Sequence, residues 1–534
     1  MVYRVVDFFC GAGGFSEGFH QAGFEVIKAF DIWEPAIKTH NKNHPSVTPI
    51  ATYGNVLEIS KLDNEEFEKV VPDSEVIIGS PPCVAFSSSN RSGKADKTLG
   101  IVLLEAYLRI VARKRFKSNS VLKYWILENV SNIEKYIQES YTMQDLGLTG
   151  DDILRVKKES AGVYKMQFYN VPSTRKRYIC GEFPAPCSNL TEDNLTTLQD
   201  VTDSLGLPLE KKDDLIRDIN YNFEIPGNLV TDHHYLKEIA DFEWEKAKRQ
   251  KQDKGYMGRM SFPENMEKPA RTIMATMSGS SRESFILPIE SNRYRYPTIR
   301  EVATVMSFPI DYRFYGDSDS VKYKLVGNAV PPKFSYALAC AINSDKNLNN
   351  DLSTKRKEFD KEDGFINLNG KEYELKKEKE KNRKAKFKYH IPYLKINTFR
   401  TELLNSFNND KVKWSVEIHR SQGKNAEVYK GLKINLSFMT SKEIKLIDNF
   451  KNYMIKEIES YEKLQSNYRK TTKQKTQNKL IGPYELLSEI KKLLVDNFNH
   501  YDENILVEGV NKEVPQKILI TYYVLDNIIL NLKN

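Results

Sequence analysis

Short apolar runs alternating with helical patterns through residues 1–184 constrain this chain more than any other feature. "YRVVDFF" is an apolar run that ends at a glycine turn. "SEGFHQAGF" then has the spacing of a helix, and "EVIKAFD" reads as a second strand. "SEVIIGS" and "KYWILENV" are two further short buried strands, with "TLGIVLLEAYLRIVARKRF" between them at helical apolar spacing. Strands apolar on both faces and alternating with helices imply a parallel sheet covered on both sides.

The rest of the chain is organised differently. Its 534 residues exceed one ordinary core, so two to four domains are expected. From about Cys187 the alternation dissolves into "CSNLTEDNLTTLQDVTDSLGLPLEKKDD" and the charged, aromatic "DHHYLKEIADFEWEKAKRQKQDKGYMGR", an irregular inserted module. Order returns with "YPTIREVATVMSFP" and "YKLVGNAVPPKFSYALACAI". From about Asp345 a polar linker begins. Beyond it "KWSVEIHRS" and "AEVYKGLKINLSF" read as strands, and "TSKEIKLIDNFKNYMIKEIESYEKL" as one long amphipathic helix with Thr440 and Glu443 at capping-box spacing. "PYELLSEIKKLLVDNF" reads as another helix.

No run of roughly eighteen or more apolar residues occurs, so no membrane span is expected. The opening "MVYRVVDFFCGAGG" lacks a signal-peptide layout. The five cysteines are scattered without a C-x-x-C pair, which argues against zinc ribbons and thioredoxin chemistry and fits a reducing cytosol. A net charge of +8 suits a polyanionic partner but equally suits many solvated lysines.

Five stretches carry chemistry. In "DFFCGAGGFSEGF", Gly11, Gly13 and Gly14 let the backbone turn tightly and approach a ligand. Asp31 ends the next strand about twenty residues on, placed to accept from ribose hydroxyls. The glycines are not G-x-G-x-x-G and no G-K-[ST] follows, so an adenosine ligand without a triphosphate, such as S-adenosylmethionine, fits better. In "GSPPCVAFSSSN", Cys83 stands just past a parallel strand, behind two stiffening prolines. It is a small buried hydrophobe or a nucleophile; a zinc deaminase would need a second cysteine and an H-x-E. Glu128 ends the run "WILENV", Arg175 and Arg177 alternate in "NVPSTRKRYIC", and "VGNAVPP" follows much later.

Together and in this order these motifs resemble the C5-cytosine DNA methyltransferase family, over roughly residues 1–344 outside the variable segment. The resemblance implies a Rossmann-like α/β core, an S-adenosylmethionine-dependent methyltransferase mixed sheet with helices on both faces. It also implies a smaller irregular target-recognition domain, and an additional α+β domain is expected at the C-terminus. The domains are then 1–186 for the catalytic core, 187–293 for target recognition, 294–344 for the closing motifs, 345–390 for a linker and 391–534 for an accessory domain.

The resemblance further implies that the Cys83 thiolate adds to C6 of a flipped-out cytosine, making C5 nucleophilic toward a methyl sulfonium. Glu128, with a raised pKa, would act as an acid toward ring N3, Arg175 would hold O2, and Arg177 would orient Glu128. The base that removes the C5 proton is not identified by the sequence. The cofactor would be S-adenosylmethionine, leaving as S-adenosylhomocysteine, with no metal. Its pocket would be formed by Phe9, Gly11, Ala12, Gly13, Gly14, Asp31, Ile32, Asn55, Val56, Pro81, Leu99, Asn328 and Val330.

Three positions depart from the family pattern: Asn55 where Asp is frequent, Val84 where Gln follows the cysteine, and Ser173 where Gln opens the arginine motif. The last two fall near the flipped base, and with Ser87 and Arg259 they are the candidate DNA contacts. The partner implied is double-stranded DNA, bound by a cytoplasmic monomer that is nucleoid-associated on DNA and functionally paired with a restriction endonuclease. The same chemistry on tRNA is an alternative, but that branch's Cys-Phe-Thr signature is missing. The last third reads as a DNA-binding or oligomerisation module; a fused restriction nuclease, with Glu374-x-Lys376 as its metal motif, is the sharper alternative.

Overall fold

The alternation of the first 184 residues becomes one seven-stranded sheet in the computed structural model, which describes residues 2–82, 97–188, 190–208, 214–253, 260–279, 282–343, 366–421 and 426–533. Its strands are β1 (Arg4–Phe8), β2 (Glu25–Asp31), β3 (Ala51–Tyr53), β4 (Val76–Gly79), β5 (Tyr124–Asn129), β6 (Gly162–Lys165) and β7 (Lys176–Glu182). They lie in the order 3-2-1-4-5-7-6. The first five pair in parallel, whereas β7 is antiparallel to both β5 and β6. The strand order reverses between β1 and β4, and open α/β sheets bind ligands beyond the strand ends at such a switch point.

Alternate strand residues feed two cores because side chains alternate across a sheet. Val6, Phe8 and Ile77 pack on one face with Leu104, Tyr107, Leu108 and Val111 of α2 (Lys97–Phe116). Val5, Val76 and Ile78 pack on the other with Phe15 and Phe19 of α1 (Gly14–Gln21) and with Phe334 and Leu338 of a late helix, Pro332–Ile342. The sheet is therefore completed by residues more than 300 positions away in sequence. Gly18 permits this closure, since a Cβ there would lie 2.4 Å from Ser335 Cβ. Among the described residues no helix is long and apolar enough to cross a membrane.

The chain divides into two compact units, and the division cuts through two of the expected domains. The first unit holds residues 1–238, 263–279 and 283–374; the second holds 239–262, 280–282 and 375–534. Helix Asp241–Asp253, from the expected target-recognition segment, thus belongs to the second unit. Residues 366–374 of the expected linker belong to the first, where Gly370 N–H donates to the His234 carbonyl (2.7 Å). The remaining variable segment has only short pairings, such as Leu215–Arg217 with Glu224–Pro226. A buried ion pair, Asp232 with Arg300 (2.9 Å), ties that segment to the closing motifs, where Arg295 pairs with Glu301 (2.7 Å).

The second unit has its own core around Trp414, Leu403, Ile418, Leu486 and Leu525. A four-stranded antiparallel sheet runs Lys388–His390, Phe399–Asn408, Lys411–Arg420 and Glu427–Tyr429. The central hairpin turns at Asn409 and Asp410, both left-handed (φ 45° and 67°), the backbone a two-residue hairpin loop requires. The Thr440–Glu443 capping box forms as expected. The single long helix does not: it ends at Ile458, Glu459 turns left-handed (φ 67°), and Ser460 caps a new helix, Tyr461–Arg469. Of "AEVYKGLKINLSF", only Glu427–Tyr429 pairs as strand.

Candidate active site

The predicted cofactor motif forms the loop between β1 and α1. Phe9, at the turn itself, is left-handed (φ 59°), a strained conformation for a bulky side chain that recurs at functional sites. The loop is held from below. Asp31, at the end of β2, accepts Gly11 N–H through Oδ2 (2.9 Å) and Trp33 N–H through Oδ1 (2.8 Å). Burial raises the Asp31 pKa, and these backbone donors oppose the rise. Gly14 must lack a side chain, because a Cβ would lie 2.2 Å from the Val330 carbonyl oxygen. The "VGNAVPP" motif and the glycine loop are thereby in backbone contact.

Gly11 is different: its missing Cβ would face open space. Asp31 reaches Gly11 through the bond above and is half-buried like Phe9; Ile32 follows it and Tyr53 pairs beside it at the end of β3, both exposed, while exposed Leu99 stands in the first turn of the helix Lys97–Phe116. Exposed apolar groups beside a carboxylate suit a ligand with an aromatic base and ribose hydroxyls, and the residues present therefore fit an adenosine cofactor. Val56 is buried and Ala12 and Gly13 lie within the packed loop, whereas Asn328 is exposed. Asn55 caps the short helix Val56–Ile59, its Oδ1 accepting Leu57 N–H (3.1 Å) while its Nδ2 donates to Glu58 (2.8 Å). That amide is already engaged locally.

The loop after β4 is fastened to the loop after β1. Ser80 N–H donates to the Phe8 carbonyl (3.2 Å) and its hydroxyl to the Phe9 carbonyl (3.2 Å). Pro81 is buried, and its carbonyl accepts Asn129 Nδ2 (3.0 Å) from the end of β5. The ends of β1, β4 and β5 thus share one rim, and the chain that leaves it runs into Cys83. Cys83, Val84, Ser87 and Arg259 lie outside the described residues.

Glu128, one residue before the end of β5, is buried and forms an ion pair with Arg177 Nε (3.0 Å), pairing without an aligned hydrogen bond at Oε1. Antiparallel pairing of Asn129 with Tyr178 brings the two residues together. Burial raises the Glu128 pKa, while Arg177 and then Arg175 pull it down. Arg175 is buried and donates to the carbonyls of Gly327 (3.2 Å), Ala329 (3.1 Å) and Ile273 (3.5 Å). It therefore joins the arginine motif to "VGNAVPP". Ser173 is buried, its hydroxyl directed at the Arg271 carbonyl, and so faces the interior.

A family model, C-5 cytosine-specific DNA methylase, matches residues 3–344. The chain belongs to this family. The type II methyltransferase M.HgiDI of Herpetosiphon aurantiacus is 28% identical over 351 residues, covering 64% of this chain and 94% of that protein. The type II methyltransferase M.MthTI of Methanothermobacter thermautotrophicus is 28% identical over 359 residues, covering 64% and 97%. The solved S. pombe Dnmt2 methyltransferase is 17% identical and covers 65% of this chain and 100% of that one, with a TM-score of 0.40. The methylase is thus an enzyme of cytosine C5 in DNA whose cofactor is S-adenosylmethionine.

Residue patterns did not single out every group at this rim of the methylase. Asp7, fully buried in β1, accepts the Ser16 hydroxyl (2.7 Å), which in turn meets His40 Nε2 (3.0 Å). Burial pushes the Asp7 pKa up to about 8. A charged residue inside the apolar run "VVDFF" was the available signal. Tyr53 lies directly beside Asp31 in the β2–β3 pairing and is 69% exposed, but the sequence shows only a tyrosine at a strand end. A cavity of about 950 Å³ lined by Asn170, Asp218, Tyr221, Lys333 and Cys340 includes none of the predicted site residues and is not the catalytic rim.

Proposed function

We propose that this methylase modifies cytosine within a short specific sequence of duplex DNA, as the modification enzyme of a restriction-modification system. The observation that carries the catalytic part is Glu128. It is a buried carboxyl of raised pKa, held by Arg177 at the end of the strand beside the one that leads to Cys83. The naming of its relatives as type II methyltransferases supports the biological role.

The Cys83 thiolate adds to C6 of a cytosine turned out of the helix, and Glu128 gives its proton to N3 so that the ring carries no net negative charge. S-adenosylmethionine supplies an electrophilic methyl group. Once C5 had taken the methyl group, with the sulfonium's S–methyl bond broken to leave S-adenosylhomocysteine, a base would take the C5 proton, the Cys83–C6 bond would break, and N3 would return its proton to Glu128, restoring the aromatic ring. Arg177 orients Glu128 and keeps its pKa from rising further. Arg175, whose guanidinium already donates to three carbonyls, is the group assigned to the base's O2. Gly11 and Asp31 shape the cofactor side, and the rest of the variable segment reads base edges.

The test is base-resolved methylation of a plasmid free of cytosine methylation, incubated with the full chain and S-adenosylmethionine. Methyl groups at C5 within one recurring sequence are expected. Cys83→Ala should abolish both methylation and trapping on 5-fluorocytosine DNA. Methylation of tRNA with none on the plasmid would overturn the reading.

A further inference from the structure

The second unit concentrates positive charge in two segments that pack together. Residues 376–388 and 469–479 hold thirteen Lys and Arg against two Glu, a net +11. The whole chain carries +8, so all remaining residues sum to −3. The other 67 Lys and Arg are balanced by 70 Asp and Glu, so the net positive charge of this protein is concentrated on these 24 residues.

The packing explains how the charge is displayed. Residues 375–387 run beside helices Tyr461–Arg469 and Thr472–Gln477 without forming helix or strand. Lys381 N–H donates to the Arg469 carbonyl (2.9 Å), and Arg469 Nε returns a bond to the Lys381 carbonyl (3.1 Å). The two acids are used as pins. Glu378 accepts Thr472 N–H (2.7 Å), and Glu380 accepts Lys470 Nζ (3.0 Å) and Gln474 Nε2 (2.8 Å). Lys377, Lys379, Arg383, Lys386, Lys473 and Lys479 remain exposed and form no ion pair among the described residues. Lys377 and Lys379 alternate in sequence with the two pinned acids, Glu378 and Glu380.

We propose that this face of the second unit is a docking surface for the phosphate backbone of duplex DNA, holding the substrate without reading its sequence. The inference rests on the DNA substrate assigned above. It gives the last third of the chain, which lies outside the family match, a part in substrate capture.

The experiment replaces the six exposed residues by Gln in the full chain and measures binding to a short random-sequence duplex from about 50 to 200 mM salt. Affinity should fall at least tenfold at the upper end, and the slope of log K against log salt should shrink by about 3 to 5. In steady-state methylation, KM for DNA should rise more than kcat falls. A companion variant with Arg at the five lysines keeps the charge and should bind like the parent, which separates charge from folding. An unchanged slope and KM, with methylation intact, would overturn the docking surface alone. A loss seen with single-stranded RNA but not with duplex DNA would overturn it in favour of an RNA partner. Absence of DNA methylation by the parent chain would instead remove the reading on which the inference rests.

Discussion

Glu128 and Asp31 stand near the carboxyl ends of strands in the same sheet, and burial raises the pKa of both. Their partners differ. Glu128 faces a guanidinium, Arg177, whereas Asp31 faces two backbone amides of the loop it supports. A guanidinium can stay in place while the carboxyl gains and loses a proton, because its own charge does not depend on that proton. Backbone amides can only donate, so they favour the ionised carboxylate, the stronger acceptor. One arrangement suits proton transfer and the other suits holding a loop, although both sites begin as an acid after an apolar run.

The largest effect should come from removing the proton. Glu128→Gln keeps the shape but cannot protonate N3, so single-turnover methyl transfer should slow by about 10²–10⁴-fold. The raised pKa also sets a pH limb. The parent needs Glu128 protonated, so its rate should fall as pH rises through that raised value, and the Gln variant should lack this limb. A variant with the parent's rate and limb would end the distinction between the two carboxylates.

A third carboxyl, Asp7, sharpens the comparison because only Ser16, through its hydroxyl and its backbone N–H, opposes the effect of burial, and nearby Asp31 adds to it. Its pKa is pushed up to about 8, from an ordinary value of 3.8. Between these values the unfolded chain releases the proton and the folded chain keeps it, so stability must fall as pH rises. The loss is at most about 4 kcal/mol at pH 7. Asp7→Asn removes this titration. The variant should match the parent near pH 4 and resist urea better near pH 8, read as the unfolding midpoint at each pH. Equal midpoints at pH 8 would mean that Asp7 is ionised in the fold.

These sites were unequally legible in the sequence. The β1 to β5 alternation and the chemistry-bearing types at strand ends are local patterns, and Glu128, Asp31 and the glycine loop follow from them. The closure of the sheet by residues 332–342 depends on a contact across more than 300 residues, which no local period announces. The irregular segment was harder still. Helix Asp241–Asp253, expected in the target-recognition domain, falls in the second unit, and residues 366–374, expected as linker, fall in the first, because buried side-chain and backbone bonds, not periodicity, decide where such segments lie. The break at Glu459 also escaped, since a non-glycine residue in a left-handed turn carries no compositional mark. In the second unit the lysine run was visible as charge, but its fixed course along Arg469 was not.

The smallest effect tests the comparison at its other end. Asp31→Asn leaves one oxygen to accept and puts an N–H₂ donor toward one of the two N–H groups that now point at the carboxylate. The glycine loop should loosen at Gly11 or at Trp33, and cofactor affinity should drop by about tenfold, the equivalent of ~1.4 kcal/mol. KM for DNA should hardly change, because Glu128 and Arg177 are untouched. Calorimetric titration with S-adenosylhomocysteine reads the first effect and steady-state kinetics the second. Equal losses on the cofactor and DNA sides would mean that the loop after β1 also shapes the base pocket. The Ser80 bonds to Phe8 and Phe9 are the route by which that coupling would travel.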